Sequence, residues 1–174
     1  MRRQGSGRIV NIGSVLGFLP MPFSALYAAT KHAVAGYSES LDHELRTRGV
    51  RVSVIEPAYT KTRFDANLLA PDSKLDEYRD IRSRLEKVLE RMIATGDDPA
   101  IVADVVLEAA TADRPKLRYV AGGRARRLRL LRRFAPAGLL DAGIRKDLRL
   151  DDRLRDAKSA PRTLEDAGGS ARGM

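Results

Sequence analysis

The chain of 174 residues contains no cysteine and no tryptophan. Without cysteine, disulfides, thiolate metal sites and cysteine nucleophiles are excluded, and a reducing compartment is compatible. Aromatic residues make up 5% of the chain, too few to interleave with basic residues as a base-stacking surface for nucleic acid. No apolar run reaches the roughly 18 residues that a membrane span needs. The opening stretch "MRRQGSGR" lacks the apolar segment of a secretory signal, so the expected location is the cytoplasm. His32 and His43 stand eleven positions apart on one predicted helix, away from metal-ligand spacing, so both are assigned to packing or surface and no metal site is expected.

What is present is enough apolar material for one core, 43% of the residues. There is also a net charge of +9. Arginines carry that excess, concentrated in "RARRLRLLRRF", rather than spread over the domain. The preferred reading is a surface helix or an arm beside a substrate site; the alternative is an interfacial helix on an anionic membrane. No nucleic-acid partner is expected.

Along the chain, "RIVNI" is a short β-branched run closed by Gly13 and Ser14, the pattern of a strand buried on both faces. Gly17, Pro20 and Pro22 keep the next segment a loop. From Tyr27 a helix is predicted with Ala33, Val34, Tyr37, Leu41 and Leu45 on its buried face, ending near Arg48 and Gly49. "VRVSVIEP" is a second strand, and strand, helix, strand in this order make a parallel βαβ unit. A second helix is read from Leu75, Tyr78, Ile81, Leu85, Val88 and Met92. A third is capped by Asp98 with Pro99 at its first position and Val102, Val105, Val106 and Ala109 as its stripe. "KLRYVAGG" is a last strand, followed by a basic helix interrupted at Pro136 and another short one. Residues 1–150 form the predicted domain, and residues 151–174, rich in Pro, Gly and Ser, the predicted disordered tail.

Three polar groups stand out in an apolar stretch. Tyr27 and Lys31 are one helical turn apart, so their side chains rise from one face. A phenol ionises near pH ~10, and lowering that by two or three units takes about 3 to 4 kcal/mol of phenolate stabilisation. A nearby ammonium at the positive end of a helix is a source of it. Ser14 ends the preceding strand, with enough loop before Tyr27 to bring its hydroxyl back to the helix start. Each has an ordinary reading as well: a strand-end cap, a packing tyrosine, a solvated lysine.

Ser14, the intervening loop and Tyr27-Ala28-Ala29-Thr30-Lys31, followed by a strand ending Pro57-Ala58-Tyr59-Thr60-Lys61-Thr62, resemble the short-chain dehydrogenase/reductase family. The resemblance implies an α/β fold, a partial Rossmann-like, doubly wound sheet of about three adjacent parallel strands with flanking helices. It implies an NAD- or NADP-dependent oxidoreductase interconverting an alcohol and a carbonyl. In that role Tyr27 is the acid/base, Lys31 lowers its pKa and bonds the nicotinamide ribose, and Ser14 orients the substrate oxygen. Pro57, Thr60 and Thr62 pass beside the nicotinamide, with Phe23 and Tyr59 as candidate pocket residues. Gly13 stands where a second serine is common, and Ala58 where glycine is usual. The resemblance implies a small-molecule alcohol or carbonyl substrate and permits a homo-oligomer. The family's glycine-rich pyrophosphate turn, its NAD/NADP-selecting strand end and a helix asparagine have no counterpart, and "MRRQGSGR" resembles the end of the helix before the serine strand. The expectation is therefore an N-terminally truncated catalytic portion whose serine strand has an unpaired edge. A non-catalytic remnant or interaction module with the same fold is the competing expectation.

Overall fold

The computed structural model describes residues 1–62 and 73–150; the predicted tail lies outside them. Three parallel strands form one sheet: β1 (Gly7–Ile12), β2 (Val50–Pro57) and β3 (Arg118–Ala121), in the order β1-β2-β3. Gly7 pairs in register with Val50 and Ile12 with Ile55, while Val54 pairs with Arg118 and Pro57 with Ala121. The connections between strands carry the helices α1 (Ala25–Leu45), α2 (Arg79–Ala94) and α3 (Pro99–Thr111). Two more, α4 (Gly123–Phe134) and α5 (Ala137–Asp147), follow β3 on either side of Pro136.

The alternation along β2 assigns the faces. Ile55 packs with Tyr119, Ala121 and Ala109, joined by Val10 of β1 and by Val102, Val105 and Val106 of α3. This is the stripe the sequence predicts for α3. On the opposite face Asp42 of α1 bonds the Val52 amide, and Asn11 of β1 donates to Ser38 of α1 at 2.9 Å. A second cluster of Val15, Phe18, Leu19 and Ala125 joins the loop after β1 to α4.

Several expectations shift. β1 is half-buried rather than buried, with Ile12 48% exposed, because among the described residues only β2 pairs with it and its other edge is open. The buried face of α1 runs through Ala28, Ala35, Ser38 and Asp42, whereas Ala33 and Tyr37 are exposed. Two polar residues on that face are tolerated because each is bonded: Ser38 donates to the Val34 carbonyl at 2.6 Å, and Asp42 accepts from Arg46, Arg51 and Val52. The α1 segment begins at Ala25, two residues before Tyr27, and after a 3-10 turn it ends at Gly49, whose φ of 71° is the left-handed conformation that terminates helices. The second helix begins only at Arg79, leaving Leu75 and Tyr78 ahead of it and exposed. Residues 2–5 form a turn rather than the end of a helix.

Candidate active site

The C-terminal ends of parallel strands are where α/β folds gather functional side chains. Here β1 ends at Ile12 and β2 at Pro57, and the loops beyond them face each other across a cavity of about 740 Å³. Ser14, Tyr27 and Lys31 all stand on its wall, as do Pro57, Ala58, Tyr59, Thr60 and Thr62.

Ser14 reaches this position because Gly13 lets β1 run tight against β2. A Cβ at residue 13 would lie 2.8 Å from Val54 Cγ2 and 3.1 Å from the Ile55 carbonyl oxygen. A side chain at this place would require Val54 to shift, which glycine avoids. Ser14 then caps a single 3-10 turn, Val15–Gly17, its hydroxyl accepting from the Leu16 amide at 3.1 Å. That is the ordinary capping reading of Ser14, and it coexists with a second bond, because the same side chain is hydrogen-bonded to Tyr27. Tyr27 stands in the first turn of α1, and Lys31 one turn later has its Nζ 5.6 Å from the Tyr27 ring centroid. The Lys31 ammonium also donates to the Ile12 carbonyl at 3.1 Å, which fixes it beside the end of β1.

The electrostatics depart from the sequence expectation. The Tyr27 phenol is pushed up, not down: burial disfavours its anion, and the Ser14 hydrogen bond only partly offsets this. Burial likewise lowers the pKa of Lys31. The ammonium is directed to the Ile12 carbonyl and to the ring, so desolvation governs the phenol. Tyr59 is raised further, to about 12, by burial, and its hydroxyl meets the Met21 sulfur at 3.3 Å.

Phe23 is absent from the cavity wall; it packs edge-on against Tyr78, with ring centroids 6.0 Å apart. Ala58 packs its methyl against the cluster of Val15, Phe18 and Leu19. His32 and His43 are exposed, His32 lying against the Ala28 carbonyl, and no group of metal-ligating side chains occurs among the described residues. No described helix is long and apolar enough to cross a membrane.

The sequence reading missed the apolar part of the wall. Leu89 and Ile93 of α2, with Val102 and Val106 of α3, also line the cavity. Leu89 and Ile93 are spaced i, i+4, a signal that sat beside the stripe assigned to packing. Also missed was Glu56, 1% exposed just below the site, which accepts from Arg118 at 2.7 Å and from Arg129 at 2.8 Å. Arg118 also donates to Glu39 of α1 at 2.5 Å, and the Arg129 guanidinium lies 5.1 Å from the Phe18 ring centroid.

Residues 1–72 match the model of the short chain dehydrogenase family. The chain belongs to this family. It is 36% identical over 121 residues to an uncharacterized oxidoreductase of Schizosaccharomyces pombe, a match covering 70% of this chain and 51% of that one. Its structure resembles that of a short-chain dehydrogenase from Streptomyces avermitilis, with a TM-score of 0.60, 27% identity, and coverage of 91% of this chain and 55% of the other. A gluconate 5-dehydrogenase, described as putative and NAD(P) dependent, from Beutenbergia cavernae, solved with NADP bound at low occupancy, matches with a TM-score of 0.50 at 28% identity, covering 69% and 46%. The chain spans about half the length of the curated relatives it matches. The three-stranded parallel sheet flanked by helices, with its Rossmann-like neighbours, is the fold that the sequence implies.

Proposed function

We propose that the cavity is the carbonyl-reducing and alcohol-oxidising site of an NAD(P)-dependent oxidoreductase, with Tyr27 as proton donor and acceptor. The observation that carries this reading is the hydrogen bond between Ser14 and Tyr27 on the wall of the cavity that Lys31 also lines. Three groups from the end of one strand and the start of one helix thereby converge on a single space.

A nicotinamide and its ribose fit the residues present. Lys31 uses one donor on Ile12 and, as an ammonium, has others for a ribose hydroxyl, and Pro57, Thr60 and Thr62 supply the wall beside the ring. Among the described residues the cavity wall holds no glycine-rich strand-to-helix turn for a pyrophosphate, so the fit is confined to the nicotinamide-ribose end of the cofactor. When bound, the nicotinamide supplies or accepts the hydride at the substrate carbon. The protein's part is the proton. With its pKa raised, the Tyr27 phenol is protonated at neutral pH, so the resting site is set to give its proton to a carbonyl oxygen. Ser14 holds that oxygen while the Leu16 amide holds Ser14. Alcohol oxidation needs the phenolate and is favoured as pH rises. Leu89, Ile93, Val102 and Val106 make part of the wall apolar, which suits a substrate with a hydrocarbon body.

The test is NAD(P)H oxidation by the purified chain with apolar ketones and aldehydes, comparing wild type with Tyr27→Phe. The expected loss of turnover is roughly 10²–10⁴-fold, with the thermal melt unchanged. Equal rates for the two proteins, or no turnover and no NAD(P)H binding by wild type, refute the reading.

A further inference from the structure

We propose that α4 and the start of α5 form a docking face for the surface of an anionic lipid bilayer. The proposal is independent of the oxidoreductase reading. Helix α4 turns inward along Ala125, Leu128 and Arg129, which pack on the loop after β1 and pair with Glu56. Its outward face carries Leu130, Leu131 and Phe134, 57%, 51% and 72% exposed, and on α5 Leu139 is also 68% exposed. An arm closing over the site, or a plain surface helix, would place such residues inward or replace them with polar ones.

Charge identifies the occupant. The α4 sequence "GRARRLRLLRRF" has six arginines and no acidic residue. Among the described residues Arg126, Arg127, Arg132 and Arg133 have no ion-pair partner. At helical spacing Arg126 and Arg133 flank the apolar ridge on one side and Arg124 on the other, with Arg127 between Leu131 and Phe134. Long arginine stems can lie along acyl chains while their heads reach phosphates. A second copy of this chain would present the same positive face and be repelled. Nucleic acid would satisfy the arginines yet leave three large apolar side chains in water. An anionic bilayer satisfies both sets.

The experiment is co-sedimentation of the full chain with vesicles of phosphatidylcholine alone and of phosphatidylcholine with phosphatidylglycerol. Sedimentation is expected with the anionic vesicles and not with the neutral ones, and high salt should weaken it. Because both side chains are exposed, the double variant Leu130→Ser/Phe134→Ser should keep its melting profile and partition about tenfold or more less strongly. Arg126→Gln/Arg127→Gln should weaken the preference for anionic lipid about tenfold or more, and an unchanged preference would overturn the proposal. Failure to sediment with anionic vesicles, or equal partitioning of the serine variant, overturns the proposal. So does duplex DNA that displaces the chain from vesicles with an affinity the serine variant leaves unchanged, because the face would then belong to nucleic acid.

Discussion

Replacing Asp42 by asparagine removes one charge from a site where the structure has concentrated three partners. Asp42 is fully buried on α1, the helix that carries Tyr27 and Lys31. Its carboxylate accepts from Arg51 Nε at 2.8 Å, from Arg46 Nη2 at 2.5 Å and from the Val52 amide at 2.8 Å. It therefore clamps the helix of the proposed acid/base onto the strand that ends at Pro57. Burial alone would raise its pKa, but the bonds from Arg51, Arg46 and Val52 outweigh burial and hold it at about 2, against an ordinary 3.8. At 1.36 kcal/mol per pKa unit, that difference stabilises the fold at neutral pH by roughly 2 kcal/mol. Because the folded value is the depressed one, the stabilisation is present above about pH 4 and is lost as pH falls toward 2. Asparagine keeps the shape and can still accept from Val52, but it leaves two guanidinium groups without an anion. Both are partly exposed, which keeps the cost below that of a fully buried broken pair. Asp42→Asn should thus lose about 2–3 kcal/mol near pH 7, a fall in melting temperature of about 5–10 °C. Urea unfolding followed by circular dichroism from pH 7 down to about 2.5 reads it. The gap between wild type and variant should close as the solution becomes acidic. A gap that stays constant across this range would mean that packing, not charge, is what Asp42 provides.

Glu56 is a buried carboxylate of the opposite kind: burial raises its pKa, and Arg118 and Arg129 offset only part of that. Glu56→Gln should therefore change stability by no more than about 1 kcal/mol near neutral pH, while Glu56→Ala, which also opens a cavity beneath the site, should cost about 3 kcal/mol; chemical denaturation separates them, and a larger loss for glutamine would contradict this reading. Gly13→Ala pushes a methyl group to 2.8 Å from Val54 Cγ2, and a loss of about 1–3 kcal/mol in urea unfolding is expected, with an unchanged midpoint counting against the close approach. Ser14→Ala removes the bond that partly offsets the burial of Tyr27, so the Tyr27 phenol should ionise at still higher pH in a tyrosinate absorbance titration. Ionisation at a lower pH would show that Ser14 does not favour the anion.

Why the strands and the proximity of Ser14, Tyr27 and Lys31 on one cavity wall were legible, and the polar clamps were not, follows from how each signal is written. Val50, Val52 and Val54 announce β2 because an apolar residue at every second position is a local, additive pattern. Ser14 and the Tyr27–Lys31 pair are joined by one strand end and one loop, so their meeting follows from local geometry once the βαβ unit is granted. The buried face of α1 was misread because Ser38 and Asp42 are polar. Only the partners that β1 and β2 bring, Asn11 at 2.9 Å from Ser38 and the Val52 amide at 2.8 Å from Asp42, make their burial favourable. The same holds for Glu56, whose two arginines come from β3 and α4, 62 and 73 positions further along the chain. The direction of the Tyr27 shift belongs with these: spacing places an ammonium one turn away, but whether it faces the phenolic oxygen depends on a competing acceptor. Here that acceptor is the Ile12 carbonyl, exposed at the end of β1, and it holds the Lys31 ammonium while burial sets the phenol. A ribose hydroxyl that accepts from Lys31 beside Tyr27 would bring positive charge nearer the phenolic oxygen. The lowered pKa expected from the sequence is not that of the protein by itself, whose phenol burial raises; under the proposed function, a bound cofactor that draws Lys31 toward Tyr27 is expected to lower it. A tyrosinate titration with and without NADPH distinguishes the two, with the bound form expected to ionise at lower pH and an unmoved titration counting against a cofactor beside Lys31.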